Sequence, residues 1–147
     1  QNGGVYFDIQ GHDVNSALQS SIEKISMIPD DFKSDLLDRL IEREKALSTG
    51  IGNGIAIPHP REQLNYLKNP LVSVCFLDNP VDYKALDNKS VSVLFFILCP
   101  DLKMHLHLLS ALSFCLRDHK FIEFLKSGPD YAGLIEKIEI IQKTNPI

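Results

Sequence analysis

The chain has 147 residues, of which 44% are hydrophobic and 23% charged, enough for one domain with a sizeable core and far from a disordered composition. Its 15 basic and 19 acidic residues leave a net charge of −4, which argues against a surface that grips a phosphate backbone. The longest apolar stretch, Val91 to Cys99, is under half a membrane span, and no basic segment leading into an apolar one opens the chain.

These features lead to the expectation of a cytoplasmic protein without membrane insertion or direct nucleic-acid contact. Because the chain begins at Gln1 without Met, it reads as either a trimmed chain or a piece of a longer protein. Cys75, Cys99 and Cys115 are odd in number, widely spaced and set in apolar surroundings. They read as buried small hydrophobes in a reducing compartment, and without a CxxC pair they exclude a zinc knuckle or a thioredoxin motif.

Gly4 to Ile9 alternates as a strand does, and Gly11 ends it. Asp13 offers a helix N-cap, and Val14, Ala17, Leu18, Ser21, Ile22 and Ile25 give one apolar face that runs until Pro29. Asp30 and Asp31 open a second helix with Phe32, Leu36, Leu37, Leu40 and Ile41 inward and Leu47 near its end. Ser48 to Gly54 is a glycine-rich loop, followed by a short strand Ile55-Ala56-Ile57 and by Pro58-His59-Pro60-Arg61.

Two strands follow, Leu71 to Leu77 and Val91 to Cys99, with turns at Asp78-Asn79-Pro80 and Asp87-Asn88 between them. The second is apolar on both faces, as a central strand covered by helices on each side is. Asp101 caps a long helix to about Leu116, Phe121 to Leu125 forms a short one, and Pro129 and Asp130 start a last one ending near Lys143. This order predicts an α/β fold, a three-layer α/β/α sandwich around a small mixed sheet, in a single domain over residues 1–147.

Gly50, Gly52 and Gly54 imply close backbone approach or positive φ. No Gly-Lys-Ser/Thr follows, and the loop leads into a strand rather than out of one, so neither a Walker A loop nor a dinucleotide fingerprint fits. Taken alone, the loop reads equally as a tight turn before an edge strand.

His59 lies between Pro58 and Pro60 just past the short strand. Each proline restricts its own φ and the residue before it, so the imidazole is aimed at little further entropic cost. A neutral imidazole is a nucleophile near neutral pH without a separate base. The alternative is a loop histidine that hydrogen-bonds a carbonyl.

His105 and His107 stand two apart in a helical stretch, where they diverge by about 200°. His105 shares the inward stripe of Leu108, Leu109, Leu112 and Leu116, whereas His107 is displaced towards Ser110 and Ala111. A zinc site at His59, His105 and His107 is therefore disfavoured, with no carboxylate or thiolate well placed to complete it. His12 and His119 fall in loop or cap positions.

The run from Arg43 to His59, Arg-Glu-Lys-Ala-Leu-Ser-Thr-Gly-Ile-Gly-Asn-Gly-Ile-Ala-Ile-Pro-His, resembles the signature of enzyme IIA domains of the fructose/mannitol/nitrogen-regulatory type. These type 2 domains belong to the bacterial phosphoenolpyruvate-dependent phosphotransferase system. The run His105 to Leu112 resembles that family's second histidine motif, and the likeness spans roughly Asp13 to Ile140.

The resemblance implies a phosphocarrier, the enzyme IIA component, that needs no cofactor and no metal. His59 would accept a phosphoryl group, on Nε2, from the histidine-containing phosphocarrier protein and pass it to a IIB-type acceptor or a regulatory protein. His105 would orient that group, Arg43 would hold its charge, and Thr49 would lie close to it. One departure is Pro60, where the family usually has Gly or another small residue. Proline lacks an N–H that could otherwise reach the phosphoryl oxygens, a bond worth about 1.5–3 kcal/mol.

Gly3 to Asp8 also resembles the junction in bacterial regulators where a helix-turn-helix domain precedes a IIA-like domain, so residues 1–10 read as an N-terminal strand or junction. The alternative function is accordingly a IIA-like interaction module of a transcription regulator, acting by partner binding. Retention of His59, His105, Arg43 and Thr49 together favours phosphotransfer, because a scaffold needs none of them.

Overall fold

The computed structural model describes residues 3–85 and 87–144. Helices cover both faces of one mixed five-stranded sheet. In chain order the elements are β1 (Gly3–Ile9), α1 (Val14–Lys24), α2 (Asp30–Ala46), β2 (Gly50–Gly52), β3 (Ile55–Ala56), β4 (Leu71–Val81), β5 (Val91–Leu98), α3 (Leu102–Cys115), α4 (His119–Lys126) and α5 (Tyr131–Thr144). The strand order is β1-β4-β5-β3-β2, with β1 parallel to β4, β3 parallel to β5, and the β4/β5 and β2/β3 pairs antiparallel.

The period of two along β5 builds the three layers. Leu94, Phe96 and Leu98 pack towards α1 and α2 with Leu18, Ile22, Leu36 and Leu40. Val93, Phe95, Ile97 and Cys99 pack on the other face with Leu112, Cys115, Phe121 and Leu125. All eight residues of β5 except Ser92 are buried, as expected for a strand covered on both sides. The expected sandwich is therefore the observed architecture, and all three cysteines are buried and unpaired.

Side-chain caps set helix starts where the sequence places them. Asp13 accepts the Ser16 N–H at 2.8 Å in a full capping box, and Asp101 accepts the Met104 N–H at 2.8 Å. No described helix is long and apolar enough to cross a membrane.

Several expectations require correction. Gly50–Gly52, read as loop, is the edge strand β2, joined to β3 by Asn53 and Gly54 at φ 58° and 79°. Two positive φ values in a two-residue connection are what a tight hairpin of this hand requires. Asp78-Asn79-Pro80 does not reverse the chain: β4 runs on to Val81, and those residues are taken up in an irregularity between the Phe76–Val93 and Val81–Val91 pairs. The first helix stops at Lys24, before Pro29, because Ile25 is already extended at ψ 99°. Phe32, expected inward, is 37% exposed and stacks on Tyr66 at 4.2 Å between ring centroids, and Leu47 just past the helix is 68% exposed.

Helix α2, which carries Arg43 and Glu44, is held to the sheet through Leu36 and Leu40, each 1% exposed. Leu40→Ala should cost about 2–5 kcal/mol in urea unfolding. A loss under about 1 kcal/mol would mean that α2 does not rest on this contact.

Candidate functional site

Three segments meet at the carboxyl ends of the parallel strands β3 and β5, the end at which α/β sheets bind their ligands. Residues 57–60 leave β3 and stay against β5, where the Ile97 N–H donates to the Pro58 carbonyl at 3.2 Å. Beyond β5, Pro100 and Asp101 lead into α3 and place His105 in its first turns. Antiparallel to β3, residues 47–49 connect α2 to β2 at the same end, and Ile57 N–H donates to the Thr49 carbonyl at 3.0 Å.

His59 is half-buried, with Nδ1 2.7 Å from the carbonyl oxygen of Ile57. A carbonyl can only accept, so the proton sits on Nδ1 and the Nε2 lone pair is left free. The histidine thus does bond a carbonyl, and that same bond prepares the opposite nitrogen for chemistry. Burial pushes its pKa below the ordinary 6.5, and the nearby Arg43 and His105 push the same way against the Ile57 bond.

His105 faces it with ring centroids 5.2 Å apart and planes tilted by 46°, and burial lowers its pKa too. Two neutral imidazoles can therefore sit together without charge repulsion. Pro60 is buried and, with Cys99, Glu62 and Gln63, surrounds a gap of about 10 Å³ beside His105, too small to admit more than one water. The proline has no N–H and lines the same gap as the second ring.

Arg43 is half-buried near the end of α2, and its Nη1 donates to the Leu47 carbonyl at 2.5 Å. The ion pairs of the described residues, His12–Asp13, Lys33–Asp30 and Arg39–Asp35, do not include it. Its charge is felt at both His59 and Glu44 and pulls the pKa of each downward.

Thr49 is 4% exposed and does not donate towards the histidine. Its N–H donates to Glu44 Oε1 at 2.8 Å and its hydroxyl donates to Glu44 Oε2. Burial pushes the Glu44 carboxyl upward, while the two Thr49 bonds and Arg43 pull it back. Glu44 is the residue that sequence reasoning misses. It stands inside the Arg43–His59 run, but nothing in its spacing announces a bond to Thr49.

His107 is exposed and lines a separate apolar groove with Leu108, Ala111, Tyr131 and Ile135, away from the paired rings. Among the described residues no group of three His, Cys, Asp or Glu side chains is placed to hold a metal ion. What the site offers is a free imidazole nitrogen, a second ring and a nearby guanidinium outside any direct ion pair of the described residues.

Known proteins share this sequence and fold. The family model for the "Phosphoenolpyruvate-dependent sugar phosphotransferase system, EIIA 2" matches residues 2–140. A "Nitrogen regulatory protein" of Pseudomonas aeruginosa is 37% identical over 117 residues, covering 78% of this chain and 75% of that protein. The chain spans 64% and 58% of the lengths of two further curated relatives, the nitrogen regulatory proteins of Klebsiella oxytoca and Shigella flexneri. The crystal structure of nitrogen regulatory protein IIA-Ntr from Neisseria meningitidis superposes with a TM-score of 0.75 at 25% identity, covering 93% of this chain and 92% of that one. The complex of enzyme IIA and phosphorylated enzyme IIB for mannitol from Escherichia coli shares the fold at a TM-score of 0.65 and 16% identity, covering 92% and 93%.

Since the folded protein takes up the His59 proton less readily than the unfolded chain, the neutral ring favours the fold above about pH 6.5. That contribution is lost as pH falls through the lower folded-state value. In an NMR titration His59 should have its midpoint below 6.5, and a midpoint at or above it would contradict a desolvated ring beside Arg43.

Proposed function

This chain belongs to the EIIA 2 family of the phosphoenolpyruvate-dependent sugar phosphotransferase system, and on that premise we propose that His59 is its phosphoryl acceptor. The observation that carries the assignment is the Nδ1–Ile57 hydrogen bond, which leaves Nε2 as the nucleophile. In the transfer, the Nε2 lone pair forms a new P–N bond as the donor's P–N bond breaks. The donor imidazole departs with that electron pair, and Nδ1 keeps its proton throughout. No general base is needed, so catalysis reduces to alignment and charge stabilisation.

Arg43 stabilises the phosphoryl oxygens, and His105 orients them from the adjacent ring. Thr49 supports the loop rather than the anion, because its hydroxyl hydrogen is committed to Glu44. The donor is the histidine-containing phosphocarrier protein, and the recipient is a IIB-type domain or a regulatory protein. The mannitol complex of Escherichia coli is one such IIA–IIB pair. Leu47, Leu102 and Leu106, at 68%, 54% and 54% exposed, lie within a few residues of Arg43 and His105 and suit a protein partner. The nitrogen regulatory relatives favour a signalling use of the phosphoryl group over sugar uptake.

Incubation with phosphoenolpyruvate, enzyme I and the phosphocarrier protein, read by intact mass under alkaline conditions, should add one phosphoryl group. His59→Ala should abolish it with the fold intact, and phosphorylation persisting in that variant would move the acceptor elsewhere. His105→Ala and Arg43→Ala should each slow transfer about 10- to 100-fold, the scale of one lost charge-stabilising contact. An unchanged rate in either would remove that residue from the site.

A further inference from the structure

We propose that Glu44 is a positioning residue that reserves the Ile57 carbonyl for His59, and so fixes the tautomer that leaves Nε2 free. This role rests on the reading of His59 as acceptor and originates in strand register. Gly50 pairs with Ala56, so the next opposed pair along the β2/β3 hairpin is Thr49 with Ile57. Residues in a hydrogen-bonded antiparallel pair exchange both backbone bonds. Here only one forms: Ile57 N–H donates to the Thr49 carbonyl at 3.0 Å.

The reciprocal donor is diverted. Thr49 N–H turns to Glu44 Oε1 at 2.8 Å, and the hydroxyl of the same residue takes Oε2. The Ile57 carbonyl, left without its ladder partner, accepts from His59 Nδ1 at 2.7 Å. One carboxylate at the end of α2 thus captures the donor that would otherwise compete for that carbonyl. Thr49 is 4% exposed, so its N–H cannot turn to bulk water when Glu44 is removed. The acceptor opposite it in the ladder is the carbonyl that holds the histidine. Sharing it weakens the bond to Nδ1 and lets the proton move to Nε2, which abolishes the lone pair in that fraction of molecules.

Glu44→Gln separates geometry from charge. Its amide oxygen accepts the Thr49 N–H, and its NH₂ donates to Thr49 Oγ1, whose hydroxyl can turn round. The tautomer of His59 is read directly from ¹⁵N–¹H correlations of the imidazole in the unphosphorylated protein at neutral pH. Wild type and Glu44→Gln should show Nδ1–H alone, and Glu44→Ala a mixture with Nε2–H. The phosphorylation rate at saturating donor should fall about fivefold in Glu44→Ala, one neutral hydrogen bond's worth, with KM unchanged and Glu44→Gln near wild type.

A single Nδ1–H tautomer in folded Glu44→Ala would overturn the proposal, as would a Glu44→Gln that behaves like Glu44→Ala. Should Glu44→Ala not fold, Glu44→Asp is one methylene short of Thr49 and should give the same mixture. Failure of both to fold would make Glu44 a structural residue and sink the idea. The predicted tautomer change in Glu44→Ala, alongside a wild type that takes no phosphoryl group, would instead refute His59 as acceptor and leave the positioning intact.

Discussion

The site depends on one hydrogen bond, from His59 Nδ1 to the carbonyl of Ile57. It turns an imidazole with two equivalent options into one with a defined donor and a defined nucleophile. The rest of the local fold supplies its conditions. Pro58 and Pro60 restrict the backbone, and the Pro58 carbonyl is tied to Ile97 on the central strand. That strand is packed on both faces, so the ring is mounted on a buried strand. The acceptor is only two residues from the histidine, so the bond itself is local in the chain.

The electrostatics follow from the same placement. Burial favours the neutral form of both rings, and the Arg43 charge acts on His59 from outside the direct ion pairs of the described residues. A carrier must accept a phosphoryl group and also release it. On the proposed assignment, a neutral nucleophile beside one guanidinium favours the anion without burying it in a deep cage of donors. Pro60 has no N–H to add to such a set of donors, and it lines the gap beside His105.

The glycines serve the hairpin before they serve the ligand. A Cβ on Gly50 would come within 2.9 Å of the Ala85 Cβ, so the 82–85 segment can lie against β2 only if that position is glycine. Asp87 braces the turn from the other side, accepting the Asn53 N–H at 2.9 Å and the Lys89 N–H at 3.0 Å. Ser48 Oγ adds a bond to the Tyr83 carbonyl at 2.5 Å. These contacts hold the edge hairpin in register, and register decides which backbone group faces Ile57.

The sequence alone determined the layers, the candidate nucleophile and the family. Asp13 and Asp101 are caps that act within four residues, β5 is apolar at both parities, and Pro-His-Pro restricts its own backbone. The motif from Arg43 to His59 pointed to the family whose model covers residues 2–140. All of this is encoded in neighbours along the chain, where periodicity and local sterics decide. Tertiary structure alone decided that Gly50–Gly52 is a strand, that Asp78-Asn79-Pro80 is absorbed within β4, and that Phe32 and Leu47 face outward. It also committed the Thr49 N–H to Glu44 and left the Ile57 carbonyl to His59. Those outcomes turn on which strand lies opposite and in what register. A backbone donor or acceptor looks the same at every residue until its partner arrives from elsewhere in the chain.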